Sequence, residues 1–215
     1  MPESYIEIIE KIKKGDTSSF RIISDEYKDK AFSLIMKILK NKEESEDALQ
    51  EAFLKLYKAI SESKFEERSK LSTYFYRIVY NTAVDHYKKL KARRFSIVSI
   101  DVDEGNFEEG DDLLKKYFEK DIESNVYEEQ HEISTDKKIN VNEIQMIIGR
   151  FISAIPEQYS VILTMFYIND LSHEEISDIL KLPIGTVKNR IFRAKANLKE
   201  IILQKYPEKE ILEYV

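Results

Sequence analysis

Apolar residues recur at steps of three and four along most of this chain, and alternation with a period of two is nearly absent, so the pattern predicts helices almost throughout. Phe20, Ile23, Tyr27, Ala31, Leu34 and Ile38 line one side of a long helix that Asp16 is placed to cap and that runs to about Lys40. Ser45 is expected to cap the next. Its first turn then holds Glu46 and Asp47, where the backbone dipole favours anions, and Leu49, Ala52, Phe53, Leu56 and Ile60 form its buried stripe as far as Ser61. A third helix spans about Ser72 to Lys91 and leads into the basic cluster Lys88, Lys89, Lys91, Arg93 and Arg94. Further helices are expected from about Val141 to Ala154, from Pro156 to about Ile168, and as a pair separated by Lys181-Leu182-Pro183.

Charge divides this helical chain into parts. Residues 1–100 carry 20 basic and 16 acidic side chains, residues 101–143 carry 5 and 15, and residues 144–215 carry 9 of each. The middle stretch also holds Gly105 and Gly110 and lacks a sustained apolar period, so it reads as a linker. The predicted fold is therefore all-α. Two small helical domains, 1–95 and 141–215, are joined by a long acidic linker, 96–140, and the 215 residues suffice for a core in each. There is no cysteine, so disulfides, thiolate metal sites and cysteine nucleophiles are excluded, and a reducing, intracellular setting fits. With five glycines and no glycine-rich phosphate loop, nucleotide-binding enzyme folds are disfavoured. No basic leader followed by an apolar run opens the chain, and no apolar stretch approaches the ~20 residues of a membrane span; a protein neither exported nor inserted is expected. His86, His131 and His173 lie far apart, and His173-Glu174 has no second histidine at the spacing of a zinc hydrolase, so no metal, cofactor or catalytic residue is assigned.

The last helical pair carries the clearest chemistry. Ser172 and Glu175 have the spacing of a capping box, a tight turn follows at 181–183, and the next helix begins Ile184-Gly185-Thr186-Val187-Lys188-Asn189-Arg190-Ile191-Phe192-Arg193, which is a helix-turn-helix layout. At 100° per residue Val187, Ile191, Ala194 and Leu198 share one side, while Gly185, Lys188, Asn189 and Phe192 share the other, flanked by Arg190 and Arg193. Residues 181–199 hold six basic side chains and no acidic one. Lys and Asn can hydrogen-bond base edges, Phe can touch a thymine methyl or a sugar, and the arginines can neutralise phosphates. On the helix from Ser72, the residues Tyr74, Arg77, Asn81, Asp85 and Lys88 likewise share a side, whereas Phe75, Tyr76, Ile78, Tyr80, Thr82 and Tyr87 are left to supply a core. Rings, amides and cations together suit single-stranded nucleic acid, whose bases stack and are read along their edges.

Three motifs in order, Ser45-Glu46-Asp47-Ala48-Leu49-Gln50-Glu51-Ala52-Phe53, Thr73-Tyr74-Phe75-Tyr76-Arg77-Ile78 with Asn81, and Pro183-Ile184-Gly185-Thr186-Val187-Lys188-Asn189-Arg190, resemble the bacterial extracytoplasmic-function sigma factors. Residues 20–94 resemble that family's second conserved region, and Leu171 through Ala194 its fourth. The resemblance implies a cytoplasmic transcription initiation subunit, not itself an enzyme and without cofactors, which binds the β and β′ subunits of core RNA polymerase and promoter DNA and which an anti-sigma factor holds in check. It implies that Asp47, Gln50, Glu51, Leu54 and Lys55 bind core polymerase. Phe65 and the loop after it, with Tyr74, Arg77, Asn81, Asp85 and Lys88, would take the minus-ten element, capturing a flipped base. Gly185, Thr186, Lys188, Asn189, Arg190, Phe192 and Arg193 would read the minus-thirty-five element.

The chain also departs from the family. Tyr74 stands where tryptophan is usual, Lys181 where glycine is frequent, and Lys188 where arginine is common and could form a bidentate fork to guanine. If Lys181 must be left-handed, lysine costs about 1 kcal/mol or more there. The linker's negative charge suits the basic channels of a polymerase, where it would act as a nucleic-acid mimic. The alternative reading is a two-domain helix-turn-helix regulator that is not a polymerase subunit. Such a protein has no need of the residues from Asp47 to Phe53, nor of the constellation from Phe65 to Asp85.

Overall fold

The computed structural model describes residues 5–65, 70–98, 149 and 151–205, and every regular element among them is helical. In chain order these are α1 (Tyr5–Lys13), α2 (Phe20–Leu39), α3 (Lys42–Ser61), α4 (Leu71–Val98), a helical segment at 151–154, α5 (Glu157–Leu163) running into a π-helical turn (Thr164–Ile168), α6 (His173–Leu180) and α7 (Ile184–Lys205). The acidic stretch 101–143 and the start of the helix expected from Val141 lie outside the described residues, as do residues 66–69 of the loop expected after Phe65. The chain divides into two compact units, one built from Met1–Ile100 with Glu174–Lys181, the other from Asp101–His173 with Leu182–Val215.

In the first unit α2, α3 and α4 pack against one another in pairs, and α1 packs on α3. The inner face of α3 is built from small residues, with Ala48, Ala52 and Ala59 buried beside Leu56 and Ile60, which leaves room for the rings of α4. Phe75 fills that room. Its ring stacks on Phe53 at 4.9 Å and meets the edge of Tyr27 at 5.6 Å, while Phe20 sets its edge against Tyr57 at 5.3 Å. Such pairs add about 0.5–1.5 kcal/mol each beyond the area they bury. The predicted stripe of α2 is buried at Ile23, Ala31, Leu34 and Ile38. On α4, Phe75, Tyr76, Tyr80 and Thr82 are buried as expected, whereas Ile78 and Tyr87 are half-exposed and Leu71, Thr73, Val79, Ala83 and Val84 are also buried.

Three local features differ from the sequence reading. Helix α1 was not anticipated. Its nine residues bury Ile8, Ile9 and Ile12, and since an isolated helix of this length is marginal, packing on α3 is what holds it. Asp16 does not cap α2 directly. Its carboxylate accepts the Ser18 hydroxyl at 2.6 Å and N–H at 2.9 Å, and the Ser19 hydroxyl at 2.7 Å. It thereby closes a tight turn over residues 17–19, whose carbonyls accept the N–H groups of Phe20, Arg21 and Ile22 and lead the chain into the helix. The serine hydroxyls, Ser18 foremost, hold the Asp16 carboxyl down at about 2. Ser45 is not a cap either. Asn41 caps α3, its side-chain oxygen accepting the Glu44 N–H at 3.0 Å, so Glu43 and Glu44 occupy the first turn. Ser45 sits buried inside the helix and donates its hydroxyl to the Asn41 carbonyl at 2.6 Å.

In the second unit α5 packs along α7. Pro156 stands at the N-cap of α5, and its carbonyl accepts the N–H groups of Tyr159 and Ser160. The helix ends near Ile168 as expected, but with its last turn widened: Asn169 N–H reaches back five residues to the Thr164 carbonyl at 2.9 Å. Asp170 then turns left-handed at φ 55°, and Leu171, buried, donates its N–H six residues back to the Met165 carbonyl at 3.1 Å, which closes the widened helix end. The core of this unit includes Ile152, Val161, Ile162, Leu163, Met165, Val187, Ile191 and Ala194.

Candidate functional site

The sequence-predicted residues fall on three helical faces. On α3, Asp47, Gln50, Glu51, Leu54 and Lys55 follow one another at steps of three and four and form a single stripe opposite the buried Ala48, Ala52 and Leu56. Leu54 is 60% exposed, an apolar side chain facing water among polar neighbours. Toward the α4 side of the stripe the groups are held. Lys55 Nζ lies 2.8 Å from Glu51 Oε1 and donates to Thr82 Oγ1 on α4 at 3.0 Å. Glu51 Oε2 lies 2.9 Å from His86 Nε2, and the other ring nitrogen of His86 lies 3.3 Å from Glu44 Oε2. Lys55 first, then His86, pull the Glu51 carboxyl down to about 2.

On α4, Asn81 and Asp85 are exposed while Tyr74, Arg77 and Lys88 are half-exposed, all on the side predicted. Arg77 Nε is buried and has no hydrogen-bond partner among the described residues. Phe65 is placed otherwise than a base-stacking wall requires: it is buried, with its ring 5.0 Å from that of Tyr74. Tyr74 is thus the more accessible ring of the pair, supported from beneath by Phe65. The side chains of Arg93 and Arg94 lie outside the described residues.

Between α6 and α7, Lys181 is left-handed at φ 52°, the conformation for which glycine would serve better. Helix α6 starts at His173, one residue after the predicted capping serine, with Glu174 and Glu175 in its first turn. Pro183 begins α7, its carbonyl accepting the N–H groups of Thr186 and Val187 at 2.8 and 3.1 Å. Val187, Ile191 and Ala194 are buried, as the wheel predicts, and Leu198 is half-buried. Gly185, Lys188, Asn189 and Arg193 are exposed, Thr186 and Arg190 partly so, and Phe192 is 74% exposed. A side chain at Gly185 would meet nothing within 4 Å, so the glycine leaves the start of α7 bare to an approaching surface.

Residues 23–94 match the sigma-70 region 2 family and residues 145–198 the sigma-70 region 4 family. The chain is 33% identical to the ECF RNA polymerase sigma factor SigW of Bacillus subtilis, over 89% of its own length and 93% of the relative's. It is 32% identical to the ECF sigma-E factor of Escherichia coli, over 87% and 88%, and 31% identical to the sigma-H factor of Pseudomonas aeruginosa, over 88% and 89%. The chain belongs to the ECF family of RNA polymerase sigma factors.

This sigma factor also shares its fold with two solved structures. One is CnrH in complex with the cytosolic domain of CnrY, with TM-score 0.55 and 13% identity over 93% of this chain and 97% of that one. The other is the sigma factor RpoE in complex with the anti-sigma factor NepR from Bartonella quintana, with TM-score 0.51 and 18% identity over 85% and 97%. The region 2 match spans α2 to α4, which carry the first two faces, and the region 4 match spans α5, α6 and most of α7. The region 2 match together with these relatives sets aside the two-domain helix-turn-helix regulator that is not a polymerase subunit. Membership of this family makes the chain a transcription initiation factor that directs promoter-specific initiation. Among the described residues no helix is long and apolar enough to cross a membrane.

One functional-site feature escaped the sequence reading, the network of Glu44, Glu51, Lys55, Thr82 and His86. The i, i+4 spacing of Glu51 and Lys55 on one helix is visible in sequence, as is that of Thr82 and His86 on another. That the two pairs face each other depends on how α3 packs against α4.

Proposed function

We propose that this sigma factor divides its work among the three faces. The α3 stripe of Asp47, Gln50, Glu51, Leu54 and Lys55 docks on the β′ subunit of core RNA polymerase, with Leu54 as the anchor that loses its water on binding. The α4 face of Tyr74, Arg77, Asn81, Asp85 and Lys88, with Phe65 behind Tyr74, receives the melted minus-ten strand. There Asn81 reads an unpaired base edge, and Tyr74 and Arg77 offset the few kcal/mol that unstacking costs. The α7 face reads the minus-thirty-five element in the major groove. In this assignment Lys188 and Asn189 reach base edges, Phe192 contacts a thymine methyl or sugar, and Arg190 and Arg193 meet phosphates beside the bare backbone at Gly185 and Thr186.

The observation that carries this reading is the exposure of Phe192 on the same side of α7 as Lys188 and Asn189, opposite a buried apolar stripe. A helix that only packed would not keep a large ring in water. The domains are 1–95 and 141–215, and the acidic stretch between them acts in the polymerase's basic channels. The protein works in the cytoplasm, has no catalytic activity of its own, contacts both β and β′, and is restrained by an anti-sigma factor.

Run-off transcription with core polymerase on a promoter library tests the whole assignment: start sites specified by this chain support it, and identical transcripts with and without the chain overturn it. The base-capture step has its own test. Asn81→Ala is expected to slow open-complex formation on duplex templates and to spare premelted ones, and equal loss on both would remove Asn81 from that role.

A further inference from the structure

Glu51 and Lys55 stand four residues apart on α3, and Thr82 and His86 stand four apart on α4. The four side chains close a ring across the helix pair: Thr82 to Lys55 at 3.0 Å, Lys55 to Glu51 at 2.8 Å, and Glu51 to His86 at 2.9 Å, with the α4 backbone completing it. His86 goes one step further and reaches Glu44, two turns before Glu51, at 3.3 Å. Both nitrogens of a ring that is only 13% exposed therefore face carboxylates of α3.

This ring is a poor explanation of stability. The two helices are already joined by Ala48, Ala52, Leu56, Phe75 and Val79 in the core, and the Glu51 and Lys55 side chains are 39% and 44% exposed, where ion pairs add little. What the ring does fix is conformation. Glutamate and lysine side chains lose several rotamers on docking, and a partner that finds them already ordered is spared that loss. The stripe thus has a free part, with exposed Asp47, Gln50 and Leu54, and a preset part at Glu51 and Lys55.

We propose that His86 is a positioning residue for polymerase docking: from α4 it clamps Glu44 and Glu51 so that the α3 stripe is presented in its binding geometry before polymerase arrives. This rests on the reading of the α3 stripe as the docking face. The clamp also gives α4, which bears Asn81 and Asp85, a polar connection to the docking stripe in addition to the packed core.

The test measures the affinity of the full chain for core RNA polymerase by fluorescence, comparing wild type with His86→Ala, His86→Arg, Glu51→Gln, the Glu51→Gln/His86→Ala double variant and Leu54→Ala. Releasing one or two rotamer-rich side chains should weaken binding by roughly three- to tenfold in His86→Ala, with a thermal midpoint close to that of wild type. His86→Arg, whose guanidinium can serve both carboxylates, should restore most of the affinity. The double variant should bind no more weakly than Glu51→Gln alone by more than about twofold, because the two residues act through one contact. If Leu54→Ala weakens docking and His86→Ala does not, the clamp is refuted while the docking face stands. Full additivity in the double variant, or no rescue by His86→Arg, refutes the clamp as well. If Leu54→Ala and Glu51→Gln both bind as wild type, the docking face itself is wrong and the clamp falls with it.

Discussion

Ile191 and Phe192 are neighbours on α7 with opposite surroundings, and replacing each by alanine separates packing from recognition. Ile191 is 2% exposed and sits between Val187 and Ala194 on the buried stripe. Its truncation leaves a cavity and should cost about 2–5 kcal/mol of stability. Phe192 keeps 74% of its surface in water, so its truncation removes almost no internal contact and should change stability by less than ~0.5 kcal/mol. Its effect should fall on DNA instead. Burying a whole phenylalanine side chain is worth about 1.5–3 kcal/mol, and three-quarters of it remains to be covered, so contact with a methyl or sugar edge should supply roughly 1–2 kcal/mol. That corresponds to promoter binding weaker by roughly 5- to 30-fold. The assay pairs thermal unfolding of the free chain with fluorescence anisotropy of holoenzyme on a labelled duplex that retains the upstream element. If Phe192→Ala unfolds as readily as Ile191→Ala, the ring is part of the core. If it binds promoter as wild type does, α7 does not use the ring for recognition and the assignment of that face is wrong.

The other predictions concern local structure. Asn41→Ala removes the side chain that caps α3 and should cost about 1 kcal/mol, read as a lower midpoint in chemical denaturation, whereas Ser45→Ala should leave the helix start intact. Lys181→Gly relieves a left-handed lysine at the cost of a more flexible unfolded chain, and should raise the thermal midpoint by an amount equivalent to about 0.5–1 kcal/mol. For Glu51 the sign follows from its lowered carboxyl: the folded protein binds that proton less readily than the unfolded one, so the carboxylate's contribution is complete above the ordinary glutamate value of 4.5 and disappears as pH falls toward about 2. Glu51→Gln should therefore be less stable than wild type at neutral pH, by under ~1 kcal/mol because the group is partly exposed, and the gap should close on acidification through that window. A gap independent of pH would mean that the ionised form contributes nothing.

The helical periodicity of this chain was strong enough to set much of the architecture in advance. Stripes such as Ile23, Ala31, Leu34 and Ile38, or Val187, Ile191 and Ala194, are buried because a helix places every third or fourth residue on one side, whatever it packs against. The same geometry made the exposed faces legible, since Asn81, Asp85, Lys188, Asn189 and Phe192 had to lie away from those stripes. Which capping residue wins was not legible. Asn41 and Ser45 are both good caps four residues apart, and backbone pairing at the Asn41 end decides for the earlier one. Helix α1 is too short for its own pattern to be decisive, and it exists because α3 offers Ile8, Ile9 and Ile12 a surface to bury against. Phe65, assigned from sequence to the nucleic acid, turned inward beneath Tyr74, since a ring's exposure depends on what the chain brings over it. The clamp of His86 on Glu44 and Glu51 spans residues 35 and more apart in the chain. No local rule encodes such a contact: it follows from the rotational setting of two packed helices, which is fixed by the shapes of Ala48, Ala52, Phe53 and Phe75 between them.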